Sequence, residues 1–182
     1  MGPSRPVVRA TPVLASGPLR LVPFAAPHLS AAYVSWLNDH NVMRYSEQRH
    51  RDHTVESCAA YVASMVAAGN SLWAIEVPAE GDRHIGNITA SYDRNNGLAD
   101  IGIVVGADGC QGKGYGATAW DAVLDWLKTD TTLRKITGGC LAPNVAMVRI
   151  MKGAGMQPDG LRPKHYVVEG KAVDVVYFAV RT

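Results

Sequence analysis

A chain of 182 residues is about one domain long and can bury a real core, and 47% hydrophobic with 19% charged residues describes an ordinary soluble globular protein. A formal net charge of +2, with no run of Lys or Arg, gives no argument for nucleic acid. Cys58, Cys110 and Cys140 are an odd set without paired metal spacing, which predicts reduced thiols rather than a disulfide frame. No apolar stretch resembles a signal peptide or reaches transmembrane length, so a cytoplasmic protein with no membrane partner is expected.

Residues 1 to 17 mix Pro, Ala, Ser and Arg without periodicity and predict a flexible tail, with one domain over 18–182. Leu19 to Phe24 alternates as a strand does, and Pro23 sets it near an edge or end. From His28, the spacing of Leu29, Ala32, Tyr33 and Trp36 is helical. A short segment, Asn41 to Tyr45, leads into the polar run Ser46 to His53, after which Thr54 can cap a helix through Ala68. Leu72 to Val77 and Arg83 to Tyr92 read as strands, and Asn95-Asn96-Gly97 as the turn into a third strand, Leu98 to Val105. The next helix carries Ala117, Trp120, Val123, Leu124 and Leu127 on one face and Asp121, Asp125 and Lys128 on the other, which predicts packing on a sheet. Lys135 to Cys140 is a strand, Asn144 to Ala154 a short helix closed by Gly155, Gln157 to Val168 a strand broken near Pro158 and Pro163, and Val173 to Val180 the last strand. With no repeat and no linker, a single α/β domain is the simplest account.

Gln111-Gly112-Lys113-Gly114-Tyr115-Gly116 lies between an apolar strand and an amphipathic helix. Glycines can take positive φ and let a ligand approach the backbone, while the first free N–H groups of a helix and its dipole favour a phosphate. A P-loop would need Gly at Ala107 and Ser or Thr at Gly114, so that pattern fails at both ends. Gly112-x-Gly114-x-x-Ala117 satisfies the relaxed dinucleotide fingerprint, but the next strand, Lys135 to Cys140, ends without an acidic residue for a ribose.

The same six residues fit in full the Gln/Arg-x-x-Gly-x-Gly/Ala loop of the GNAT acyltransferases, and the order of elements from Leu19 onward resembles that family. Asn144 followed by Gly155-Met156 resembles its second landmark. The resemblance implies a GNAT fold, a mostly antiparallel, splayed sheet of about seven strands flanked by about four helices. It also implies an N-acetyltransferase that uses acetyl-CoA as acyl donor and needs no metal, acting as a monomer or homodimer. Trp36-Leu37-Asn38-Asp39, Met43-Arg44-Tyr45 and Gly86-Asn87-Ile88 resemble two branches, one acting on ribosomal-protein N-termini and one on amino sugars carried by nucleotides. Residues 49–57 and 99–103 resemble the sugar branch more closely.

By that resemblance Gln111, Gly112, Lys113, Gly114, Tyr115 and Gly116 hold the coenzyme pyrophosphate, an amide near Val104 or Val105 polarises the thioester, Ile103 lines the same strand, and Asn144 bonds the pantetheine arm or a water. Asp100 stands where relatives place an acidic base, although a carboxylate paired with Lys or Arg fits the same position. The acid is a Tyr seven residues after the Asn in several relatives, where this chain has Met151; Tyr166 or water would replace it. Glu47, Arg49, His50 and His53 fall where GNAT folds cover the acceptor, a lid or a solvated loop. Arg49 or Arg51 could then grip a carrier diphosphate, whereas His50 and His53 have no third ligand nearby for a metal. Met151 also suits a domain that binds the coenzyme without turnover.

Overall fold

The computed structural model describes residues 9–182. Eight strands form one sheet in the order β1-β2-β3-β4-β5-β6-β8-β7. They are β1 (Leu14–Ser16), β2 (Leu19–Pro23), β3 (Ser71–Val77), β4 (Arg83–Asp93), β5 (Leu98–Val105), β6 (Lys135–Leu141), β7 (Gln157–Val168) and β8 (Lys171–Arg181). Every pairing is antiparallel except β5 with β6, which is parallel and short. Five α-helices flank the sheet: α1 (Ala31–Asn38), α2 (His40–Met43), α3 (Val55–Ala67), α4 (Tyr115–Lys128) and α5 (Val145–Gly153).

Local chemistry explains the boundaries. Ser30, Asp39, Thr54 and Asn144 each cap the helix that follows by accepting backbone N–H groups. The helix foreseen from His28 starts later because Pro27 heads a separate short turn and Ser30 supplies the cap. Strand β7 keeps its length, but its register against β8 shifts between Pro158 and Gly160 and again between Arg162 and Tyr166, close to both prolines.

Helix α4 buries Ala119, Trp120, Val123, Leu124 and Leu127 against Leu21, Trp73, Ile88 and Ile101, while Asp121, Asp125 and Lys128 face outward. Each of these aliphatic side chains contributes about 1.5–3 kcal/mol of burial. On the opposite face α3 packs over β3, and α1 lies beside α3 with Tyr33 and Trp36 against His84 of β4.

The expected tail through residue 17 is corrected over its described part. Leu14–Ser16 already pairs with β2, the Trp73 indole donates to the Pro12 carbonyl at 2.7 Å, and the Arg9 guanidinium lies 4.5 Å over the Trp126 ring. Trp73 and Trp126 are large apolar surfaces at the open end of the core, and the arm removes them from water. Residues 1–8 of that expectation lie outside the described residues.

Candidate active site

Helix α4 begins without a side-chain cap, at Gly114 with φ 79°. Gly112 is also left-handed, at φ 75°. A Cβ on either would meet nothing within 4 Å, so these glycines are required by backbone conformation and not by crowding. Gly116 is different: a Cβ there would lie 3.1 Å from Ile150 of α5 and 4.0 Å from Val105. Its lack of a side chain brings the first turn of α4 onto the end of β5. The amides that start a helix have no intrahelical acceptor, and here the side-chain acceptor found on the other four helices is missing. The result is an open, positively polarised cradle suited to a diphosphate. Gln111, Lys113 and Gly112 are exposed, and the Lys113 ammonium sits 5.8 Å from the centre of the Tyr115 ring.

Strands β5 and β6 pair only at Leu98 with Lys135, Ala99 with Ile136 and Asp100 with Thr137, after which they part. At the far end of β5, Gly106 N–H donates to Ile85 O at 3.0 Å, and the β4–β5 ladder runs without a register shift back to Leu98. Alternation in an antiparallel pair therefore turns the Val104 amide toward β4 and those of Ile103 and Val105 into the gap beside β6. This corrects the choice between the two expected donors: the Val104 N–H is committed to the sheet, and Val105 offers the free one.

Asn144 stands at the other side of the gap. Its Oδ1 accepts the Met147 amide at 3.2 Å, so only its amide nitrogen remains to donate. Met151 is fully buried between α5 and Gly138 of β6 and has no proton to give. Cys140 is half-buried on β6, and burial pushes its thiol up to about 11, so it stays protonated near neutral pH.

Residues paired directly across a ladder share a face, so Asn87 with Val104, Thr89 with Gly102 and Ser91 with Asp100 all lie on the face opposite α4. The Thr137 hydroxyl donates to Asp100 Oδ1 at 2.6 Å, and no Lys or Arg pairs with this carboxylate among the described residues. The ion-pair alternative for Asp100 therefore fails. Although its edge is open to solvent, loss of water to the surrounding protein raises its carboxyl above the usual range, and the Thr137 hydrogen bond only partly opposes this.

On that same face a cleft of about 540 Å³ is lined by His40, Glu47, Arg49, His50, Tyr166 and Glu169, among others. The structure thus gathers Glu47, Arg49, His50 and Tyr166, but neither His53 nor Asp100 lines this cleft. His53 is a strap: its amide donates to Asn38 Oδ1 at 2.8 Å and its carbonyl accepts from Asn38 Nδ2 at 2.9 Å. Arg49 is spent as well, with its guanidinium bonding Ser46 O, Glu47 Oε1 and the Val167 carbonyl and its side chain only 8% exposed. It pins the lid to β7 and is not free to grip a diphosphate. Sequence reasoning singled out neither Thr137 nor Glu169, and it gave no role to Asn87 and Arg44, which it quoted only within segments that carry the resemblance. Arg44 and Glu169 form a 2.7 Å ion pair that ties α2 to the β7–β8 turn. Such partners meet across long sequence separations and carry no local motif.

Comparison with known proteins agrees with this geometry. The model of the acetyltransferase (GNAT) domain matches residues 18–157. No curated protein matches the chain in sequence. Among solved structures, a GNAT-family acetyltransferase from Bacillus anthracis is 22% identical, with 93% of this chain and 98% of that one covered and a TM-score of 0.77. Spermidine N-acetyltransferase from Vibrio cholerae, in complex with CoA and spermine, is 18% identical over 90% and 95% of the two chains, at a TM-score of 0.77. Ribosomal-protein-S5-alanine acetyltransferase from Vibrio fischeri is 15% identical over 93% and 96%, at 0.78. With a family match over most of its length, an uncapped glycine-rich helix start and two strands parting beside it, the chain belongs to the GNAT acetyltransferases and is an enzyme of acetyl transfer to an amine.

Proposed function

We propose that this protein acetylates the amine of an amino sugar carried on a nucleotide, with acetyl-CoA as donor, the two substrates meeting from opposite faces of the sheet. The observation that carries the reading is the uncapped start of α4 set against Val105, where β5 leaves β6. The loop from Gln111 to Gly116 holds the pyrophosphate through main-chain amides, and Asn144 Nδ2 donates to the pantetheine arm. The coenzyme supplies a thioester, an acyl group already activated toward attack.

The chain's own residues orient and discharge. The Val105 amide donates to the thioester carbonyl and favours charge that builds on its oxygen. The amine's lone pair forms the C–N bond as the C–S bond breaks, and the nitrogen then sheds a proton. Asp100, with its raised carboxyl, receives that proton by way of solvent. An amine with a pKa near 8, about that of an α-amino group, is already partly neutral at physiological pH and needs only modest help. In this reading Tyr166, which lines the cleft, returns a proton to the sulfur. Glu47, His50 and Tyr166 offer hydrogen bonds to sugar hydroxyls, while Arg49 acts by holding the lid in place.

The competing acceptor is a protein N-terminus. It is favoured by the likeness to the Vibrio fischeri ribosomal-protein enzyme and by the engagement of Arg49, which removes one cation from the diphosphate site. Release of free thiol, measured against nucleotide-linked amino sugars, polyamines and N-terminal peptides, separates these readings. Turnover confined to peptides would overturn the sugar assignment. No heat on titration with the coenzyme would overturn the whole reading.

A further inference from the structure

Five polar side chains are buried in the described core, and four of them are bonded. His28 and Glu76 meet at 3.1 Å, Asp130 accepts from Thr132, and Ser71 meets the Tyr92 hydroxyl at 3.2 Å. Asn87 is the exception. It is 7% exposed, and its Oδ1 has no solvent contact and no hydrogen-bond partner among the described residues. A buried carbonyl oxygen without a partner is costly, and native structures seldom keep one without a reason.

Its place in the sheet gives the reason. Asn87 pairs with Ala74 on one side and Val104 on the other, on the face opposite α4. It is therefore level with the Val105 amide that turns into the gap. Asp100 is four residues back along β5, roughly 13 Å away at 3.3 Å per residue, too far to touch an amine held at that amide. Of the polar side chains on this face of β4 and β5, Asn87 stands nearest the level of the Val105 amide.

We infer that Asn87 positions the acceptor amine, its side-chain amide accepting one N–H so that the nitrogen lone pair points into the gap. This inference rests on the proposed acetyl transfer. Asn87 moves no proton. It is neutral at every working pH, and its hydrogen bond strengthens as positive charge builds on the attacking nitrogen. The same acceptor would select a primary amine over an alcohol, which has only one hydrogen to give and would then keep it engaged.

The test compares wild type with Asn87→Leu, close in shape but apolar, with Asn87→Ala as a second truncation and Asn87→Asp as the variant that keeps a carbonyl-type oxygen. Thermal midpoint, coenzyme Kd by calorimetry, and kcat and KM for the best amine of the panel are read for each. Asn87→Leu is expected to melt at or above the wild-type temperature and bind the coenzyme within about twofold, while kcat/KM for the amine falls on the order of 100-fold. Asn87→Asp should recover part of that loss. Unchanged kcat/KM in the truncations, or a loss matched by falling melting temperature and coenzyme affinity in every variant, would overturn the inference and leave the acetyl-transfer reading intact. Wild type that binds the coenzyme but acetylates no amine would overturn both.

Discussion

On one face of the sheet, Trp120, Val123, Leu124 and Leu127 of α4 close over Leu21, Trp73 and Ile88 without a gap. On the other face, Asn87, Thr89 and Ser91 line β4 opposite Val104, Gly102 and Asp100, and a cleft opens between residues 40–50 and the β7–β8 turn. The first face is ordinary core, and at the start of α4 it presents backbone amides without a side-chain cap. The second keeps polar groups at some cost in stability. Natural proteins tolerate such costs where chemistry needs them. In the proposed function the coenzyme meets the backbone of one face and the acceptor the side chains of the other.

The strongest way to break that division is Gly114→Val. Since a Cβ at this position meets nothing, the substitution acts through φ 79°, which a β-branched residue reaches only with strain of about 1–3 kcal/mol. The loop is expected to leave its conformation, weakening coenzyme binding on the order of 100-fold while the domain stays folded. Calorimetry alongside far-ultraviolet circular dichroism checks this, and retained affinity would disprove the cradle.

Asp100→Asn probes the other face. Turnover should fall about 10- to 100-fold with coenzyme affinity unchanged. Because the folded carboxyl titrates above its ordinary range, its charged form costs stability at neutral pH. Asp100→Asn should therefore melt higher than wild type near pH 7, and the difference should vanish as the pH falls through the carboxylate range. A lower melting temperature at pH 7 would mark Asp100 as structural.

His84→Phe is expected to show in stability and to leave turnover least changed. Burial first, and the neighbouring His28 second, lower His84 to about 4, and its ring packs 5.1 Å from Trp36 of α1. An unfolded histidine titrates near 6.5, so this group's stabilisation is complete above that value and is lost as the pH falls toward 4, by up to about 3 kcal/mol. Chemical denaturation between pH 7 and 4 should show a flatter dependence for the variant. An unaltered slope would remove His84 from the account.

Much of this was legible in the chain itself, and the reasons differ by element. The amphipathic period of α4 and the six-residue glycine loop are local patterns, so both stood out, as did the Thr54 cap and the Asn95-Asn96-Gly97 turn. The arm before Leu19 was misread because its anchors, Pro12 under Trp73 and Arg9 over Trp126, lie 61 or more positions apart. The sequence sets Glu47, Arg49, His50 and His53 in one polar loop, but what each bonds to is not legible there. Arg49 looks like a free cation until the Val167 carbonyl, 118 residues away, is seen to accept from it. Asp100 stands out on its strand as an acidic residue, yet its partner Thr137 and the distance to the gap emerge only from strand pairing.

The arm also bears on how this enzyme should be handled in the laboratory. The family match begins at residue 18, and a shortened clone cut there would lose β1, the Pro12 carbonyl and the Arg9 side chain. Two tryptophan rings would then be wetted and one indole N–H left without its acceptor, so shorter versions should aggregate more readily and fluoresce at longer wavelength. Affinity tags are better added without replacing the stretch from Arg9 to Ser16.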